Sequence, residues 1–295
     1  MRDTPLHSKR APIALFIVAL TLLVGSNLYR SRQSSELVTL IRSGKSSDAL
    51  KLVATGVRLN TTAYEPKVDK SLSLLACAIY YKQGAVSHEL LRLGVQPDPE
   101  SLHYAIENNM TDIALELLEK GAKADQRPLF GAAPLLLMAV RNDNLRLAQM
   151  LLSKGAEGNA FNNGATLSPV VVASQSPRVA LLQLLLKSGA SPNFTSFSGD
   201  PPLTAAVKHH RLENLKLLIK YHAHIDVPDA RGWSPLMYAV ESRDVEAIRI
   251  LLQNHATPRF KGMTEQSVFT LAKGSPQILR LLTVADAKIP AGVKK

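Results

Sequence analysis

Two histidine pairs, a Gly-Lys-Ser triplet and a lone thiol are the residues whose types could do chemistry in this chain. His209 and His210 are adjacent, and His222 and His224 are two apart. Metal ligands on a helix want i, i+4 spacing, or a loop with added acidic or thiolate ligands, and no such set converges on either pair. Gly44-Lys45-Ser46 spells the end of a phosphate-binding loop, but the first glycine of that motif would fall at Thr39 and no strand precedes it. The Ser, His and Asp residues form no nucleophile elbow or other arrangement that would activate a hydroxyl. Cys77, between Ala76 and Ala78, has no basic neighbour to lower its pKa, which suits a packed small residue. As the single cysteine it also rules out an intrachain disulfide and a multi-cysteine metal site. No catalytic, cofactor or metal site is expected, so the chain reads as a non-enzyme.

The formal charge of +11 invites a nucleic-acid or anionic-membrane reading, so its distribution matters. Residues 1–32 hold Arg2, Lys9, Arg10, Arg30 and Arg32 against Asp3, and the remaining excess is spread thinly. No basic run with interleaved aromatics stands out, so a solvated basic surface is favoured over a phosphate-tracking groove and nucleic acid is not the expected partner. Only 5% of the residues are Phe, Trp or Tyr while Leu and Ala dominate, which suits stacked helices better than a β-sandwich.

From Ala11 to Tyr29 the sequence carries no charge and is bracketed by basic residues. As a helix it would be about 28 Å long, close to the hydrocarbon thickness of a bilayer. Pro12 would fall in its first turn, where a missing N–H costs nothing. Membrane association through residues 11–29 is expected, with three topologies open. One is an uncleaved signal anchor. Another is a signal peptide with Lys9 and Arg10 as n-region, Ile13 to Val24 as h-region and cleavage at Val24-Gly25-Ser26. Both place the rest of the chain on the extracytoplasmic, periplasmic side, which is the favoured reading. The third keeps it cytoplasmic, because Arg30, Arg32, Arg42 and Lys45 outnumber Arg2, Lys9 and Arg10.

What would position any site is an internal repeat. Endings of the form Leu-Leu-x-x-Gly-Ala close at Val57, Val95, Ala122, Ala156, Ala190, Ala223 and Ala256, at spacings of 38, 27, 34, 34, 33 and 33 residues. Seventeen residues before each lies an apolar position: Leu40, Ala78, Ala105, Ala139, Ala173, Ala206 and Ala239. Between the landmarks, Leu145, Ala148, Leu151 and Leu152 share offsets with Leu212, Leu215, Leu218 and Ile219 and with Val245, Ile248, Leu251 and Leu252, which predicts one apolar stripe on a helix. Each unit therefore reads as a pair of short antiparallel helices whose stripe is buried by stacking, with small alanines letting neighbours approach. The residues Thr61 to Ser71 are an insertion that accounts for the 38-residue spacing.

The chain resembles the ankyrin-repeat family. That family's Gly, Thr-Pro-Leu-His and Ala pattern is clearest as Gly199-Asp200-Pro201-Pro202-Leu203-Thr204-Ala205-Ala206 and Gly232-Trp233-Ser234-Pro235-Leu236-Met237-Tyr238-Ala239; Ser101-Leu102-His103-Tyr104-Ala105 keeps the His and Ser168-Pro169 keeps the turn. The resemblance implies an all-α ankyrin solenoid of about seven to eight helix-turn-helix repeats over residues 34–287. A basic tail (1–10) and the transmembrane or signal segment (11–29) precede it, and a basic tail (288–295) follows. Ser34 to Asn60 and Thr264 to Ala287 would be its caps. His222 and His255 stand where the family places a left-handed Gly, and the motif His survives only at His103, so most turns should lack its inter-loop hydrogen bonds.

Ankyrin arrays bind proteins through hairpin tips and the ends of their first helices. The resemblance assigns the helix-end contacts to Tyr80, Tyr81, Glu107, Asn108, Arg141, Asn142, Gln175, Lys208, His209, Glu241 and Ser242, and the tip contacts to Phe161, Phe197, Arg231 and Trp233. Aromatic anchors mixed with Arg and adaptable polar groups are what interface hot spots contain. Trp233 is the foremost anchor, unless it is used up packing against Phe197 or a neighbouring loop. The implied function is a membrane-tethered protein-protein interaction scaffold that protects or neutralises an exported enzyme or toxin. The alternative is a basic-surface module for nucleic acid or anionic lipid.

Overall fold

The repeated Leu-Leu-x-x-Gly-Ala phrase is a helix stop. In the computed structural model, which describes residues 31–125, 133–159, 168–194, 200–260 and 267–288, the residue at the Gly position of each ending has a left-handed backbone, including His222 at φ 63° and His255 at φ 67°. At Gly155 the chain turns so that its N–H reaches the Leu152 carbonyl (3.0 Å) while Ala156 N–H reaches that of Leu151 (2.9 Å), satisfying carbonyls the helix end leaves open. A second set of such stops, invisible in the periodicity, closes the first helices. Lys82, Asn109, Asp143, His210 and Arg243 have φ between 52° and 57°. At each the same pair of bonds forms, as in Lys82 N–H to Ile79 (2.9 Å) and Gln83 N–H to Ala78 (2.8 Å).

These stops divide the described residues into eight helical hairpins, shared between two compact units, Met1–Ala122 and Lys123–Lys295. In the first unit, helix α1 (31–42) precedes α2 (Ser46–Ala54), followed by α3 (Leu74–Tyr80) with α4 (Gly84–Arg92) and α5 (Pro99–Glu107) with α6 (Thr111–Glu119). The second holds α7 (Leu135–Arg141) with α8 (Leu145–Ser153), α9 (Pro169–Gln175) with α10 (Val179–Lys187), α11 (Pro202–Lys208) with α12 (Leu212–Lys220), and α13 (Pro235–Glu241) with α14 (Val245–Gln253). It ends with α15 (Val268–Leu271) and α16 (Pro276–Ala287). Within each unit first helices pack on first helices and second on second, making an inner and an outer row.

Several first helices open where the sequence has Ser-Pro or Asp-Pro. Ser168 and Ser234, both fully buried, accept from Val171 N–H and Met237 N–H (3.3 Å each), with proline at the first helical position. Ala78, Ala105, Ala139, Ala173, Ala206 and Ala239 are all fully buried. Leu40 departs from that register: α1 is longer than the other first helices and buries Leu37, Val38 and Ile41 instead. The outer stripe is also rotated from the expected one. Leu147, Ala148 and Leu151 are buried on α8 while Leu145 is 40% exposed, because the first residue of each second helix lies at the open corner. Each fully buried leucine contributes about 1.5–3 kcal/mol relative to exposure.

The insertion is a β-hairpin, an addition to the expected all-helical architecture. Strands β1 (Thr62–Glu65) and β2 (Lys70–Ser73) pair antiparallel with Thr62 opposite Ser73 and Glu65 opposite Lys70. Two four-residue strands are marginal alone. This pair packs on α3, with Leu72 and Glu65 buried at 1% and 2% exposure.

The inter-loop bonds expected to be missing are replaced by others. In the second unit Asn159 accepts from Ser191 N–H (2.9 Å), Asn193 from His224 N–H (2.7 Å) and Asp226 from Thr257 N–H (3.1 Å). The α9–α10 corner has no left-handed residue. Buried Asn214 instead shares its amide among the carbonyls of Ala173, Ser174 and Ser176 (3.2, 3.0 and 2.8 Å). The last hairpin is held by Arg259, which donates twice to Asp286 (2.6 and 3.1 Å). No helix among the described residues is long and apolar enough to cross a membrane. The segment 11–29, the tail 289–295, Phe161 and Phe197 lie outside those residues.

Candidate partner-binding surface

The chemistry-bearing residues of the sequence are absorbed by this frame. Gly44-Lys45-Ser46 forms the α1–α2 corner, with Gly44 left-handed and the Ser46 hydroxyl donating to the Gln83 side chain. Cys77 is 1% exposed, and burial pushes its thiol up to about 11 against the opposing pull of the Arg42 charge. His209 and His210 lie at the α11–α12 corner, with His210 Nδ1 3.1 Å from Asp244. Among the described residues no group of three or more His, Cys, Asp or Glu is arranged to hold a metal ion.

In the first unit the end of α3 presents two tyrosines, which meet a third, buried within α5. Tyr80 meets Tyr81 and Tyr104 edge-on, at centroid distances of 5.2 and 5.1 Å. The Tyr81 hydroxyl donates to Glu65 (2.8 Å), the Lys67 ammonium lies 5.4 Å from its ring centre, and Arg42 Nε stands 3.3 Å from the same Glu65 oxygen. Burial first, and then the bond to Glu65, push the Tyr81 hydroxyl up to about 12. Glu107 is exposed, with its carboxylate 3.8 Å from His103 Nε2. Asn108 is occupied differently: its amide donates to the Ile79 (3.1 Å) and Tyr80 (3.4 Å) carbonyls, stitching α5 to α3. The hydroxyl of Tyr104, a residue 2% exposed, and the Nδ1 of His103 have no hydrogen-bond partner among the described residues.

In the second unit the corresponding place is a hub of paired charges around a tyrosine. Tyr238 donates to Asp229 Oδ2 (2.5 Å) and accepts from Arg231 (2.6 Å). The other Asp229 oxygen accepts from the backbone N–H groups of Arg231 (3.0 Å) and Trp233 (2.9 Å). Burial alone would raise the Asp229 carboxyl; the bonds from Tyr238 and the two amides overcome it and leave the carboxyl below its ordinary value. Lys208, at the end of α11, sets its ammonium 4.5 Å over the Tyr238 ring and 2.8 Å from Asp200. Burial pulls that ammonium down, and Asp200 together with Tyr238 holds it above its usual range.

Trp233 takes the packing role rather than that of an open anchor. It is 9% exposed, its ring 5.1 Å from that of Tyr238, and the Arg231 guanidinium lies 5.6 Å above it, so Arg231 is the outward member of the pair. Arg141, Asn142, His209, Glu241 and Ser242 are exposed at their helix ends, while Gln175 is half-buried and lends its carbonyl to Arg211 (2.9 Å). Glu65 and Arg42, and Asp229 and Tyr238, are the organising residues that sequence reasoning missed. For the second pair a signal existed: Asp229-Ala230-Arg231-Gly232-Trp233 is an Asx-turn sequence whose carboxylate can reach the amides two and four residues on.

No curated protein matches the chain. The family model described as Ankyrin repeats (3 copies) matches residues 74–162 and 170–261. Those stretches hold the hairpins α3 to α14, all but one of them with a left-handed stop after each helix, and together they cover more than half of the sequence. The chain belongs to the ankyrin-repeat family.

Proposed function

We propose that the chain is a membrane-tethered module that grips a partner protein through its first-helix ends and hairpin tips, and that its role is binding, not catalysis. Ankyrin repeats generally mediate protein-protein interaction. The observation that carries the reading for this chain is the second unit's row of polar and charged residues at its first-helix ends. Arg141, Lys208 and Glu241 are the last residues of seven-residue helices and His209 follows Lys208 as a C-cap, so a fixed backbone presents their side chains. Lys208 is held in place by Asp200 and the Tyr238 face. Tethering rests on the uncharged residues 11–29, and the extracytoplasmic side is the proposed home, with protection or neutralisation of an exported enzyme or toxin as the role.

The test is affinity capture from the native envelope fraction by the parent chain and by Lys208→Glu and Glu241→Lys. The same protein partner should be retained by the parent and lost from both variants. Retention unchanged in both, or binding that only fades steadily with salt, would defeat the proposal. Protease accessibility in intact against opened cells tests the compartment.

A further inference from the structure

The outer row also carries a recess, away from the first-helix ends. Between α14 and α16 runs a groove of about 890 Å3. Leu252 and Leu281 line it, joined by Val284, which at 58% exposure is the most exposed large apolar side chain among the described residues. Arg249, Arg280 and Lys288 also line it. Arg280, Leu281, Val284 and Lys288 recur at helical spacing along one face of α16. Neither Asp nor Glu lines the groove, and the three cations have no hydrogen-bond or ion-pair partner among the described residues, in contrast to Arg259, which Asp286 neutralises. Among the described residues from 249 onward, Arg249, Arg259, Lys273, Arg280 and Lys288 stand against Asp286 alone, so the local field favours anions.

We propose that this groove docks an acidic amphipathic helix of a partner protein, with apolar side chains on Leu252, Leu281 and Val284 and carboxylates on Arg249, Arg280 and Lys288. An apolar recess between cations matches the stripe of such a helix. A bilayer would instead call for apolar side chains projecting from a flat face, and a phosphate backbone would leave Val284 unused. The twelve residues of α16 span about 18 Å, room for roughly three turns of a bound helix.

The probe is a fluorescein-labelled eighteen-residue synthetic helix with Leu along one face and Glu on its flanks, titrated by anisotropy against the full chain in detergent micelles. Saturable binding is expected, weakened at least tenfold by Val284→Asp and by Arg280→Glu, unchanged by Lys208→Glu, and absent for the same peptide with Lys in place of Glu. Val284 and Arg280 are exposed, so circular dichroism melts of both variants should match the parent. Failure of the acidic peptide to saturate, or binding indifferent to both substitutions, overturns the proposal. So does a phosphatidylglycerol vesicle or single-stranded DNA that binds through the same residues and is not displaced by the peptide.

Discussion

Tyr104 and Tyr238 occupy the same place in their repeats, one residue before the landmark alanines Ala105 and Ala239, and meet opposite surroundings. The neighbour from the preceding repeat, two residues past its own alanine, is Tyr80 in the first unit and Lys208 in the second. Tyr104 therefore faces another ring and keeps an unpartnered hydroxyl, while Tyr238 lies under an ammonium with its hydroxyl held between Asp229 and Arg231. Charge follows the same division: residues 31–122 carry ten Lys and Arg against eleven Asp and Glu, and residues 123–295 carry twenty-one against twelve. The helical frame is common to both units, so their difference in surface chemistry comes from residues at helix ends and loops and, in the first unit, from the β-hairpin that brings Glu65 to Tyr81.

What the two units share should be the costliest to disturb. Leu117→Asp in the first and Leu151→Asp in the second bury a charge where a leucine is fully enclosed, and each should cost more than about 4 kcal/mol and abolish cooperative melting of its unit, read by circular dichroism. Retained cooperativity in either would undo the packing scheme. Where the units differ, the same change should give different results. Tyr238→Phe deprives buried Asp229 of a donor and should cost about 1–3 kcal/mol in denaturant unfolding, whereas Tyr104→Phe removes an unpaired hydroxyl and should be neutral or stabilising. Equal losses would show that the two tyrosines are equivalent after all.

The hub also has a pH dependence. The folded Asp229 carboxyl lies below its unfolded value, so its contribution is fully present above about pH 4 and is lost as pH falls through the folded pKa. The melting temperature of the second unit should drop on acidification through that range, and Asp229→Asn should flatten the drop. The smallest effect is expected at the helix stops. His222→Gly and His255→Gly relieve left-handed backbone that a side chain disfavours and should each gain up to about 1 kcal/mol in denaturant unfolding.

The repeat frame was legible because its marks recur. The buried alanines, the glycine stops and the two substituting histidines all lie where the periodicity puts them. The β-hairpin was not, since Thr62 to Glu65 and Lys70 to Ser73 are short, polar and occur once, and their pairing depends on a docking surface supplied by α3. The non-glycine stops at Lys82, Asn109, Asp143, His210 and Arg243 share no residue type, and backbone bonds fix them. At the candidate surface, helix-end positions could be read from spacing, but whether a side chain is available could not. Asn108 and Trp233 are already engaged with their own fold, and no one-dimensional pattern reports that.

The Asn and Asp ties of the second unit bear on how such a chain changes length. Asn159 and Asn193 fasten to amides 32 and 31 residues ahead, close to the 33-residue step from Ala190 to Ala223. Excising residues 191–223 would therefore bring Asn159 opposite the His224 amide, a donor like the one it lost. That seam would close again, but the same excision removes Asn214, whose amide holds the α9–α10 corner, so this array can be shortened only where the repeat removed does not brace its neighbour.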